Sequence, residues 1–116
     1  MWPVGVYTDY ESDHNGRYRL LAGAAVEGME LVADGFVQAT LPAGRYLVFS
    51  GEGEMPGVVI QTWMSVLEYF SKPSDHVRAY TADWELYSGP NAVDIHIAVK
   101  YARAYGERPV KKSASY

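Results

Sequence analysis

The stretch Tyr80-Thr81-Ala82-Asp83-Trp84-Glu85-Leu86-Tyr87 alternates as a strand does and sets two carboxylates among aromatic rings. The two-residue side-chain period of a strand puts Thr81, Asp83, Glu85 and Tyr87 on one face and Tyr80, Ala82, Trp84 and Leu86 on the other. Two readings are open. On a solvated face the acids are ordinary surface charges. On a cavity wall, a buried carboxylate is costly unless it meets a cationic or hydrogen-bonding partner, so its presence there points to a binding site.

Other residues with chemical potential point less far. His14, His76 and His96 are scattered, without cysteines and without the spacing of a metal site, so no metal is expected. His96, between Ile95 and Ile97, falls on the polar face of its strand. Ser12-Asp13-His14 contains the residue types of a hydrolytic triad, but neighbours in one loop do not supply triad geometry. Gly51-Glu52-Gly53-Glu54 has glycines, yet its acids repel phosphate and the dinucleotide-loop pattern is absent. No cofactor is expected, and no nucleophile for an enzyme is identifiable.

The elements that position these residues follow from pattern. A chain of 116 residues is one domain, and 48% hydrophobic with 21% charged residues is ordinary for a globular protein. Aromatics are plentiful, with ten tyrosines, three tryptophans and three phenylalanines making 14% of the chain. A net charge of -4 offers no general attraction to nucleic-acid backbones. The absence of cysteine, of a secretory signal and of a run of about 20 apolar residues is consistent with a cytoplasmic protein that does not enter membranes.

Val4 to Tyr10 reads as a strand, Asn15-Gly16 as part of the loop that turns it, and Arg17 to Val26 as its return. Glu27-Gly28 is a turn and Met29 to Gly35 a loop. Phe36 to Pro42 and Arg45 to Ser50 read as a second hairpin around Pro42-Ala43-Gly44. A helix is expected from Val58 to Ser71, with Val59, Trp63, Val66, Leu67 and Phe70 as its buried stripe. Such a stripe is more often core than ligand wall, and only a place opposite Glu85 gives Trp63 a function. Val77 to Tyr87 reads as a fifth strand and Ala92 to Lys100 as a sixth, with Val93, Ile95, Ile97 and Val99 on one face. Residues 101–116 lose periodicity and read as a C-terminal extension to a domain spanning 1–100. The fold class is α+β, an antiparallel sheet with one main helix on one face.

The ordered set Gly5 to Asp13, Phe36 to Pro42 with Ala43-Gly44-Arg45-Tyr46, Asp83-Trp84-Glu85-Leu86-Tyr87 and Asp94 to Lys100 resembles the GyrI-like small-molecule-binding fold. More narrowly, it is similar to the effector-binding domains of bacterial transcription activators and their integron-cassette relatives. The resemblance implies two strand-helix-hairpin halves around an aromatic cavity that holds a buried acid and takes up lipophilic cations. On this sequence that acid falls on Glu85. The implied aromatic walls are Tyr7, Tyr46, Trp63, Trp84 and Tyr87. The acid near the start of the last strand, often Glu in the family, is Asp94, and the Pro usual in that strand is replaced by Ala98.

Against that pattern the chain begins at the family's second strand, so a strand and a helix of the first half are expected to be missing. An incomplete two-half fold leaves an apolar face that a homodimer or higher oligomer would cover. The function expected is non-enzymatic binding of a small amphipathic or cationic organic molecule. The alternative is a structural or protein-interaction module that assembles through the uncovered face. No helix-turn-helix is visible, so direct contact with DNA is not expected.

Overall fold

The computed structural model describes residues 3–24 and 41–101. The chain runs β1 (Pro3–Thr8), β2 (Arg19–Ala24), β3 (Arg45–Glu52), α1 (Gly57–Phe70), β4 (His76–Arg78), β5 (Ala82–Gly89) and β6 (Ala92–Tyr101). All pairings are antiparallel, in the order β2-β1-β5-β6-β3, with β4 also on β6. The expected turn, loop and most of the strand between residues 25 and 40 lie outside the described residues, as does the extension beyond Tyr101. No helix of the described residues is long and apolar enough to cross a membrane.

The core lies where α1 covers the sheet. Val93, Ile95, Ile97 and Val99 of β6 pack with Val58 and Val66 of α1, flanked by Leu47, Phe49, Met55 and Phe70. Period-two alternation along β6 thus supplies one fully apolar face. The buried line of α1 is Val58, Thr62 and Val66, four residues apart, with Val59, Trp63 and Phe70 half-buried beside it. Thr62 enters the core because its hydroxyl donates to the Val58 carbonyl, 2.7 Å away, which leaves no orphan polar group. Leu67, expected in the stripe, is 44% exposed.

The expected strand Val77–Tyr87 is instead a short strand, His76–Arg78, and a longer one, Ala82–Gly89, separated by Ala79, Tyr80 and Thr81. Tyr80 adopts a left-handed backbone conformation with φ +56°, which costs a non-glycine residue about 1–3 kcal/mol. The break shifts the phase of alternation. In one continuous strand Arg78 and Asp83 would point to opposite faces; here both point beneath α1, where they meet. Asp9, with φ +54°, likewise ends β1 at Thr8, two residues before the expected end, and redirects Tyr10.

Asp83 also repairs the ladder that the break interrupts. Ala79 N–H donates to the Ala98 carbonyl at 2.8 Å, and the Ala98 N–H, left without a backbone acceptor, donates to Asp83 Oδ1 at 2.8 Å. A side-chain oxygen substitutes for a backbone one.

Gly51 in β3 sets how closely the helix approaches. A Cβ there would overlap the Thr62 hydroxyl and lie 3.0 Å from Val58 Cγ2. Gly51→Ala is therefore expected to push α1 off β3 and cost about 1–3 kcal/mol, measured as a lower midpoint in urea unfolding.

Candidate functional site

Three strand positions in a row on the helix-facing side of β5, Asp83, Glu85 and Tyr87, meet the first strand and the helix. Across the ladder Gly5 stands opposite Glu85 and Tyr7 opposite Asp83. A Cβ on Gly5 would come within 3.0 Å of Glu85 Oε1, so the missing side chain makes room for the carboxylate. Glu85 is 5% exposed.

Three neutral donors hold it. The Tyr7 hydroxyl donates to Oε2 at 2.9 Å, Trp63 Nε1 donates to the same oxygen at 2.5 Å, and the Tyr87 hydroxyl donates to Oε1 at 2.8 Å. Tyr7 reaches Glu85 diagonally across the strand pair, Tyr87 is its next same-face neighbour, and Trp63 descends from α1. The Tyr7 and Trp63 rings meet edge-on at 5.2 Å, and Tyr18, 48% exposed, lies 5.4 Å from Tyr7 on the outer side. Among the described residues Glu85 has no ion-pair partner.

Asp83 is arranged otherwise. It is fully buried, and its Oδ2 accepts from the Arg78 guanidinium at 2.7 Å and from the Tyr10 hydroxyl at 2.5 Å. Arg78 in turn lies 4.5 Å from the centre of the Tyr80 ring and 5.9 Å from those of Tyr10 and Trp63. The chain thus builds a cation held by an acid and aromatic rings from its own residues. Beside it stands an acid with aromatic rings and no cation.

Of the residues expected at the site, Glu85, Trp63, Tyr7 and Tyr87 come together. Tyr46, Trp84 and Asp94 stand on the opposite face of the sheet, as their register shows. There Trp84 stacks on His96 with ring centres 3.7 Å apart and meets Tyr46 edge-on at 6.2 Å. Asp94 accepts from the Ser50 hydroxyl at 2.7 Å, and burial lowers the His96 pKa. Arg78, Tyr10 and Gly5 belong to the helix-side constellation and were not singled out from sequence. The one signal for Arg78 was a charge between Val77 and Ala79, and its facing depends on the break. Among the described residues no three histidines or acids gather as a metal site.

Burial first, then the charge and hydrogen bond of Glu85, raises the Tyr7 pKa; burial, then the bond to Glu85, pushes Tyr87 up to about 12. Tyr10 is raised by burial and by its bond to Asp83, and Tyr46 by burial.

The model of a family described as integron-associated effector binding protein (Cass2) matches residues 2–99. A crystal structure of an integron cassette protein from the mobile metagenome of Vibrio cholerae superposes with a TM-score of 0.74 and 41% identity, over 85% of this chain and 63% of that one. A Bacillus subtilis protein described as a transcriptional regulator, YobU, is 28% identical over 104 residues, 84% of this chain and 63% of its own. A UDP-N-acetylmuramate–L-alanine ligase of Mycobacterium tuberculosis is 28% identical over 113 residues, which are 22% of that protein. The chain therefore spans less than two thirds of the length of each of these relatives.

The raised tyrosines give an alkaline test. A tyrosine whose folded pKa lies above its unfolded value of about 10 contributes stability that is present below that pH and lost above it, because the unfolded chain ionises first. For Tyr87 the loss runs from pH 10 to about 12. Absorbance titration of tyrosinate is expected to show Tyr7, Tyr10, Tyr46 and Tyr87 ionising late, together with loss of near-ultraviolet circular dichroism. Tyr87→Phe is expected to remove one late group.

Proposed function

Because the chain belongs to the integron-associated effector-binding family, a family of small-molecule binders, we propose that it is a non-enzymatic module that holds an amphipathic organic cation against Glu85. The observation that carries this reading is the contrast between two neighbouring buried acids. Asp83 has its cation in Arg78, whereas Glu85 has only hydroxyl and indole donors. Three neutral hydrogen bonds satisfy the carboxylate oxygens without supplying a countercharge.

The rings that orient Glu85 would also receive the ligand. Tyr7, Trp63 and Tyr87 surround it and Tyr18 stands outside Tyr7, so an organic cation gains about 0.5–2 kcal/mol from each ring face it covers. A cation without N–H groups suits a carboxylate whose oxygens already accept three bonds. Tyr46, Trp84 and Asp94, on the other side of the sheet, have no part in this site.

Calorimetric titration of tetraphenylphosphonium tests it, with uncharged triphenylphosphine oxide as control. Wild type is expected to bind the cation in preference to the neutral molecule, and Glu85→Gln to lose at least about tenfold in affinity. Equal affinities of the two proteins for the cation exclude this role.

A specific observation also favours assembly. Ile60, Met64 and Leu67 recur at helical spacing on the side of α1 beyond Trp63 and are 57, 63 and 44% exposed, while Leu20 of β2, 55% exposed, shares the helix-facing side of the sheet. This apolar trough beside the site is read as the contact between two copies. Sedimentation equilibrium at micromolar concentration is expected to give a dimer or higher oligomer, and Met64→Glu a monomer; a monodisperse wild-type monomer rejects assembly.

A further inference from the structure

Resting on the reading of Glu85 as the carboxylate that meets a cation, we infer that Asp83 is a specificity-determining residue: it holds the chain's own cation, Arg78, away from Glu85. Arg78 stands opposite Val99 of β6 and Glu85 opposite Ile95, four residues along the same strand, so their Cα atoms are roughly 13 Å apart, a span that an extended arginine and a glutamate side chain close together. Trp63 lies between them, with its ring 5.9 Å from the Arg78 guanidinium and its Nε1 on Glu85. Arg78 is 4% exposed, so it has no solvent in which to stay if Asp83 releases it.

The alternatives open to a buried guanidinium are few. It is already over the rings of Tyr80, Tyr10 and Trp63, and its Nε has no hydrogen-bond partner. One nitrogen of the fork is therefore unsatisfied in the observed arrangement, and the other buried carboxylate among the described residues is Glu85. Arg78 is held on Asp83 by an ion pair of 2.7 Å, which adds no net charge and leaves Glu85 without the chain's own cation. With a neutral residue at position 83, Arg78 moves to Glu85 and occupies the place that the ligand cation would take.

Asp83→Asn tests this, because an amide oxygen still accepts the Ala98 N–H that Asp83 Oδ1 accepts at 2.8 Å. Tetraphenylphosphonium affinity is expected to fall at least about tenfold in Asp83→Asn and to return to within about threefold of wild type in Asp83→Asn/Arg78→Met, which removes the competing cation. A merely structural ion pair gives the opposite order, with the double variant no better than the single one, and that result overturns the inference. So does unchanged affinity in Asp83→Asn. The double variant buries no charge at this pair and stands in if the single variant does not fold: binding like wild type supports sequestration, and lost binding rejects it.

A crystal structure of Asp83→Asn without ligand decides independently of any titration. The Arg78 guanidinium against Glu85 supports the inference, and the guanidinium still against position 83 overturns it. If wild-type protein and Glu85→Gln show the same affinity, the cation reading fails while this crystallographic result still settles where Arg78 goes.

Discussion

Two carboxylates side by side on one buried strand face repel each other and lose their hydration, and the rest of the structure is arranged around that cost. Neither Asp83 nor Glu85 is left with a bare oxygen. Their solutions differ in kind, however. Asp83 is neutralised by a buried guanidinium, an arrangement whose desolvation cost roughly offsets its Coulomb gain but whose rupture costs about 3–5 kcal/mol. Glu85 is held by hydroxyl and indole donors, with no countercharge among the described residues.

That division explains features that look unrelated. The left-handed Tyr80 brings Arg78 to the same side as Asp83 and at the same time puts its own ring under the guanidinium. Left-handed Asp9 turns Tyr10 toward Asp83. Gly5 withholds a side chain where Glu85 needs room. Trp63 touches both halves of the arrangement, so the helix and the two acids cannot be changed separately. A strained backbone at two positions is sustained by the hydrogen bonds it makes possible.

The sheet was legible in sequence because alternation along β6 and the apolar stripe of α1 are periodic signals, and each buries one face. The pairing of Asp83, Glu85 and Tyr87 on a common face was legible for the same reason. What could not be read was which residues join them. Arg78 shares a face with Asp83 only because three residues between β4 and β5 leave the extended conformation, and the central one is a tyrosine, a residue type that carries no turn signal. Likewise Gly5 looks like a weak point in a strand until its partner across the ladder is known. The opposite-face placement of Trp84 follows from alternation alone, and it is the register against β6 that adds His96 to it.

The helix attaches to the two halves of the sheet unequally, and this bears on how freely the surroundings of Glu85 can move. α1 packs broadly on β3, β6 and β4, through the apolar core and the close approach at Gly51. Toward β1 and β5 it extends Trp63, whose indole meets Glu85 and the Tyr7 ring. Close-packed interfaces resist displacement, whereas a single side chain can change rotamer without moving the helix that carries it. Trp63 also packs against the α1–β6 core, so displacing it costs its hydrogen bond to Glu85, its contact with Tyr7 and part of that packing, while the backbone of α1 can stay in place. The same indole faces Arg78, so any movement of it also loosens the aromatic surround of the internal ion pair. The 2.7 Å ion pair between Arg78 and Asp83 is independent of that indole, so Arg78 keeps its acid when the ring moves.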